Sequence, residues 1–277
     1  MEVSKTDLLS LLKTLEVLKL YLKEIVIVGG WVPFLYRRYG HMPSRHPSIR
    51  TMDIDVAVPR RLEERGRPTI DELLSCAGYK VRIYGSDISV VKYELTAPVI
   101  EIEFLTPEVG RPGRPSTLVQ RGLTAQALRY LQILLENTKE IEINDTLSGA
   151  DVNLVVRVPS PGAFIYQKGL TLPRRHSKVS KDLYYIFDLL DSSTESRDSI
   201  LVEINSLQSQ YAARWFRNFL RNLDKYFPEV GAEGPVLVAA QYNGHLPIET
   251  FRNYAHRVFR DFIRTLQGNA AQRGDAW

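Results

Sequence analysis

Cysteine is almost missing from this chain. A single residue, Cys76, among 277 excludes an internal disulfide and a thiolate metal centre. Its place in the helical run Ile70–Ala77 marks it as a small core residue rather than a nucleophile. Long apolar runs are missing as well: none approaches the ~20 residues of a membrane-crossing helix, so no membrane partner is expected. Met1–Asp7 lack the basic-then-apolar pattern of a secretory signal, which makes a cytoplasmic location the expectation. Charge of one sign is not in excess. The 36 Lys and Arg against 32 Asp and Glu leave +4, which permits a nucleic-acid partner without demanding one. Histidine is scarce too, and His41 and His46 lack partners at ligand spacing, so they read as surface-loop residues and not as metal ligands. What is present, 44% hydrophobic residues, is the share of a soluble globular protein with one large domain or two ordinary ones.

The stretch Thr51–Pro59, TMDIDVAVP, carries the first chemical signal. Asp53 and Asp55 stand two apart in a β-branched run, and side chains alternate faces along a strand, so both carboxylates project from one face. Like charges held side by side repel, and a divalent cation of the Mg²⁺ type is the usual reason to tolerate them. An isolated Asp-x-Asp also fits the solvent face of an edge strand, so the neighbours decide. Upstream, Ile25–Trp31 reads as a buried strand broken at Gly29-Gly30, with a helix over Trp31–Tyr39. A strand, two glycines and a helix start offer free backbone N–H groups to an anion. Downstream, Pro98–Pro107 reads PVIEIEFLTP, in which Glu101 and Glu103 alternate with Ile100, Ile102 and Phe104 on a neighbouring strand.

Taken in order, the glycine turn, the Asp-x-Asp strand and a later acidic strand resemble the polymerase-β-like nucleotidyltransferase superfamily. The resemblance implies an α+β fold, a mixed sheet flanked by helices. It implies that Asp53, Asp55 and Glu103 hold Mg²⁺, with Glu101 in reserve as third acid, and that Gly29 and Gly30 bind the phosphates of an NTP such as ATP or CTP. Trp31 stands where relatives often carry a hydroxyl, and the third acid is Glu where Asp is more frequent.

Between these motifs, His41–Ile49 is rich in Pro, Ser, His and Arg and reads as a loop near the site. A Leu-spaced helix spans Ser4–Lys23, a capped helix Thr69–Ala77, and strands Tyr79–Tyr84, Ile88–Leu95 and Val99–Leu105. Thr106–Pro115 reads as a loop whose Arg111 and Arg114 stand near the acids. Leu123–Leu135 has apolar residues at helical spacing, with an extended conformation as the alternative.

A second signal lies in Val158–Leu190, VPSPGAFIYQKGLTLPRRHSKVSKDLYYIFDLL. Pro159 and Pro161 mark a boundary, Ala163–Leu170 a short helix pointing Lys168 away from its apolar neighbours, and Arg174, Arg175, His176, Lys178 and Lys181 a concentration of positive charge. On charge alone this is a solvated loop. The Pro-x-Pro entry, the Lys-bearing apolar helix, the Arg loop and Lys-Asp opening a Leu-rich helix resemble the AbiEii-like, abortive-infection branch of nucleotidyltransferases. That resemblance implies that Lys168 contacts nucleotide phosphates, that Lys181 and Asp182 complete the site, and that Arg175 assists. It also implies an RNA acceptor, such as the 3′ end of tRNA, and an antitoxin protein as partner.

The remainder is helical in pattern: Ile204–Tyr226 carries Arg214, Arg217 and Arg221, and Ile248–Leu266 carries Arg257, Arg260 and Arg264, before a frayed tail over Gly268–Trp277. The expected organisation is a nucleotidyltransferase domain over 1–157 and a helical domain over 158–277 that supplies cations to the cleft. Three alternatives stay open: a catalytically silent nucleotide- or RNA-binding module, an antitoxin-binding scaffold, and a transferase acting on a protein or small-molecule hydroxyl.

Overall fold

The computed structural model describes residues 3–49, 51–84, 90–96, 99–110, 116–147, 149–175 and 177–272. Arg111, Arg114 and His176, together with Ile88 and the last residues 273–277, lie outside them. The chain divides into a sheet unit, Val3–Gly40 with Arg50–Pro159, and a helical unit, His41–Ile49 with Ser160 onward.

The sheet unit opens with α1 (Lys5–Val17), whose Ser4 and Asp7 form a reciprocal capping box. Strand β1 (Val26–Val28), helix α2 (Trp31–Arg38) and strand β2 (Asp53–Ala57) follow. Helix α3 (Ile70–Cys76) is capped by Thr69 and Glu72. Strands β3 (Lys80–Tyr84), β4 (Val90–Thr96) and β5 (Val99–Pro107) come next, then β6 (Ser116–Gln120) and β7 (Leu123–Leu128). The mixed sheet runs β1-β2-β5-β4-β3, with β7 pairing the far end of β5 and then β6. β2 and β5 are parallel, the other pairs of the β1-to-β3 path antiparallel. Helix α4 (Leu131–Glu136) and a long hairpin, β8 (Thr138–Leu147) with β9 (Ala150–Pro159), complete the unit. Val26, Val28, Ala57, Leu105, Leu131 and Leu134 pack into one apolar cluster behind the central strands.

The helical unit is built around α5 (Pro161–Thr171), buried from Pro161 to Leu170, with Pro at its first turn and a Ser160 cap. Around it pack α6 (Val179–Leu190), α7 (Thr194–Gln210) and α8 (Ala213–Tyr226). Gly169 lets α8 approach closely, since a Cβ there would lie 2.5 Å from the Phe219 ring. Helices α9 (Glu233–Ala239) and α10 (Ile248–Gln272) close the unit. Among the described residues, no helix is long and apolar enough to cross a membrane.

Several expectations are corrected here. Leu123–Leu135 splits into β7 and α4, because pairing with β5 and β6 outweighs the helical spacing, and Tyr130 turns the chain at φ 64. Ile204–Tyr226 is broken where Tyr211 turns extended, φ −117 and ψ 168. The tail from Gly268 continues α10 through Gln272. Thr106 and Pro107 belong to β5 and not to a loop. Cys76 ends α3 on its outer face and is exposed.

The segment 41–49, expected as a loop near the site, is tied into the helical unit. Asp191, buried at the end of α6, accepts hydrogen bonds from Ser44 Oγ (3.1 Å), the Arg45 N–H (3.2 Å) and the Tyr254 hydroxyl. Ser48 Oγ donates to Asp188 at 2.7 Å, and the Tyr184 hydroxyl donates to the Pro47 carbonyl at 2.7 Å. His46 sits among the rings of Phe187, Tyr242, Phe251 and Tyr254, which rules out the surface role expected for it.

Candidate active site

The alternation DIDVA does what strand geometry dictates. Ile54 and Val56 are buried, and Asp53 and Asp55 stand half-exposed on the opposite face. Parallel pairing sets Asp53 beside Glu101 and Asp55 beside Glu103, with the buried Ile102 between them. Adjacent strands lie about 4.8 Å apart, so four carboxylates share one face of two strands.

β1 runs antiparallel on the other side, with Val28 level with Asp55, and ends in Gly29 at φ +71. A side chain at this position would overlap the Asp55 carboxylate: a Cβ would lie 2.8 Å from its Cγ and 3.0 Å from its Cβ, and closer still to Oδ2. Only glycine lets the turn and the acid share this space. Gly30 is the N-cap of α2, so that helix begins beside the acid with its positive end.

The sequence reading missed one participant. Lys92 of β4 shares the acidic face, and its Nζ donates to Glu101 Oε2 at 2.6 Å. Partial burial works against its charge. The hydrogen bond to Glu101 and the charges of Glu101, Asp53 and Glu103 outweigh it and hold the ammonium above its ordinary range. The signal was the alternation in VVKYELT, which puts Lys92 and Glu94 opposite the buried Tyr93.

These donors are all carboxylate oxygens, the chemistry a hard divalent cation selects, and Gly29 keeps a cradle open beside Asp55. The residues fit such an ion in kind and in order along the strands. Among the described residues, no three His, Cys, Asp or Glu side chains are drawn together into a cage.

The second group of expected site residues lies in the helical unit and has its own geometry. Lys168 does not point away from the apolar side of α5. It is buried, and its Nζ donates to Asp182 Oδ1 at 2.6 Å. Arg175 Nε donates to the other oxygen, Oδ2, at 2.9 Å. Burial raises the Asp182 carboxyl, and the two cations more than reverse this, holding it below the ordinary carboxylate range. Asp182, 1% exposed, therefore spends both oxygens on fixing Lys168 and Arg175. Lys181, next to it on α6, is exposed.

A mixed sheet with acids facing each other on two adjacent parallel strands, and a glycine turn into a helix beside them, defines a nucleotidyltransferase-type enzyme. A family model described as nucleotidyltransferase matches residues 6–207, well over half of the chain, and the chain belongs to that family. No curated protein matches it.

Proposed function

We propose that the enzyme is a Mg²⁺-dependent nucleotidyltransferase that moves a nucleoside monophosphate from an NTP to an RNA hydroxyl. The carrying observation is the face shared by Asp53, Asp55 and Glu103 beside a glycine that cannot be replaced without displacing Asp55. In this reading Asp53, Asp55 and Glu103 hold the ion. Bound there, Mg²⁺ screens the triphosphate and stabilises charge on the transferred phosphoryl group. Gly29 and Gly30 present backbone N–H groups to the phosphates. The acceptor oxygen attacks the α-phosphorus, its proton passes to the Glu103 carboxylate, and the bond to pyrophosphate breaks. In the helical unit Asp182 holds Lys168 and Arg175 in place, and with Lys181 these are cations of the kind that bind nucleotide phosphate.

RNA as acceptor draws support from α8. Arg214, Arg217, Arg221 and Lys225 all lie exposed along it, and Tyr211 and Trp215 stack at its start with ring centroids 5.5 Å apart. Cations at successive turns, about 6 Å apart along the axis, beside an aromatic pair suit a phosphate backbone with unstacked bases. On α10, by contrast, Arg260 is tied to Asp224 at 2.6 Å. The AbiEii-like pattern of Lys168 and Lys181-Asp182 favours a tRNA 3′ end and an antitoxin partner. Incubation of the full chain with total RNA and each α-³²P-labelled NTP tests the reading. Asp53→Asn should lower label transfer by at least about a hundredfold with an unchanged melting temperature. Transfer at the parental rate overturns it.

A further inference from the structure

We propose that β3 is a docking edge for a protein partner, one of whose strands joins the sheet beside it and alternates carboxylate with apolar side chains. The inference is separate from the chemistry of the acidic face. β3 ends the path β1-β2-β5-β4-β3, so its outer side has no strand neighbour among the described residues. All five of its residues, KVRIY, are exposed. Its root is nonetheless fixed: the preceding Tyr79 is buried, and its hydroxyl hydrogen-bonds with that of Thr14 on α1 at 2.9 Å. β4 then holds the strand over its whole length, from Lys80 level with Glu94 to Tyr84 level with Val90. An edge held in this way offers a row of backbone N–H and C=O groups to another chain.

Alternation gives the edge two faces. Val81 and Ile83 stand level with Tyr93 and Val91 of β4, on the face where Tyr93 is buried and donates to Asp71 of α3. There the apolar side of the sheet runs on without cover: Val81 is 46% exposed and Ile83 67%. On the other face Lys80 stands level with Glu94, and Arg82 level with Lys92. Lys92 turns inward to Glu101, so Lys80 and Arg82 share Glu94, which Arg82 meets through Nε at 3.3 Å while staying 64% exposed. These two cations choose the occupant. A second copy of this chain, paired antiparallel with full overlap, would centre on Arg82 and set it against its own copy, and like charges directly opposite repel. Carboxylates in the same places attract. An incoming strand with carboxylates on one face and Val- or Ile-like side chains on the other therefore pairs with Lys80 and Arg82 and covers Val81 and Ile83.

Fluorescence anisotropy of the full chain with a labelled peptide alternating Glu and Val is the test, and it needs no turnover. The peptide should bind at least about tenfold more tightly than its Lys-and-Val counterpart, since attractive cross-strand pairs become repulsive ones. Lys80→Glu with Arg82→Glu should reverse that order, and Ile83→Ser should weaken binding of the Glu-and-Val peptide. A melting curve for each variant separates these effects from misfolding. Methylating every backbone nitrogen of the peptide keeps its charges and side chains but removes its ladder donors, so binding should be lost. Absence of binding by the Glu-and-Val peptide overturns the proposal, as do equal affinities for the two peptides or unchanged affinity after methylation. A preference for the Glu-and-Val peptide that survives in the charge-reversed variant puts the contact elsewhere and overturns it too. So does a short RNA that binds the parent and not the charge-reversed variant while neither peptide binds.

Discussion

Gly29→Ala isolates what the glycine turn contributes, because the chain carries its own control. Gly66 adopts nearly the same backbone, φ +73 against φ +71, yet has nothing within 4 Å of where a Cβ would stand. Gly66→Ala should therefore show only the left-handed backbone penalty, about 1–2 kcal/mol, and leave activity untouched. Gly29→Ala carries that same penalty and in addition drives a methyl group into Asp55, with Cγ at 2.8 Å and Cβ at 3.0 Å. Ordinary carbon contacts begin near 3.5 Å, so the carboxylate must retreat by roughly 0.5–1 Å. Displacement of a reacting group by about 1 Å costs on the order of a hundredfold in rate. Urea denaturation of both variants measures the shared backbone term, and label transfer from α-³²P NTP measures the difference. If Gly29→Ala keeps activity within about twofold of Gly66→Ala, Asp55 is not where the chemistry occurs.

Asp182→Asn leaves Lys168 buried without a carboxylate and should lower stability by about 3–5 kcal/mol in urea denaturation; a loss under about 1 kcal/mol contradicts the buried triad. Asp145, held down to about 2 by the Tyr39 hydroxyl and Arg38, adds stability that is fully present above the ordinary carboxylate value and is lost as pH falls toward about 2. Denaturation of the parent and Asp145→Asn from pH 5 to pH 2 should therefore converge at the acid end. Replacing Arg214, Arg217 and Arg221 together by alanine should weaken RNA binding and flatten its logarithmic salt dependence by about 2, at roughly 0.7 per phosphate contact. An unchanged slope in a filter-binding titration removes α8 from the RNA surface.

Local chemistry was readable where one strand or one helix end decided it. The alternation around Asp53 and Asp55, the capping of α1 and α3 and the break at Gly29-Gly30 are properties of a few consecutive residues, and the structure follows them. That β2 pairs with β5 joins residues far apart in the chain; the alternation of Glu101 and Glu103 marked the second strand as a neighbour, and the parallel register is what the fold adds. Where two periods fit equally well, over Leu123–Leu135, the choice fell to strand partners that local spacing does not reveal. The β8 and β9 hairpin went unread despite two alternating runs meeting near Gly149 at φ +86. Lys92 lay in a run correctly read as a strand, but its meaning depends on a carboxylate one strand away. Ser44, His46 and Ser48 look like any polar loop until Asp188 and Asp191 are folded beneath them.

That last segment has a consequence for anyone cutting this protein apart. The chain leaves the sheet unit after Gly40, makes the Ser44 and Ser48 contacts to α6, and returns at Arg50 immediately ahead of Asp53. A fragment ending at Pro159 would keep this detour and lose both aspartates that anchor it, leaving a slack tether at the root of the acidic strand. A fragment starting at Ser160 would bury Phe187 and Phe251 with no imidazole to cover them. Neither half is a clean module, so dissection by point substitution in the intact chain will report more faithfully than truncation.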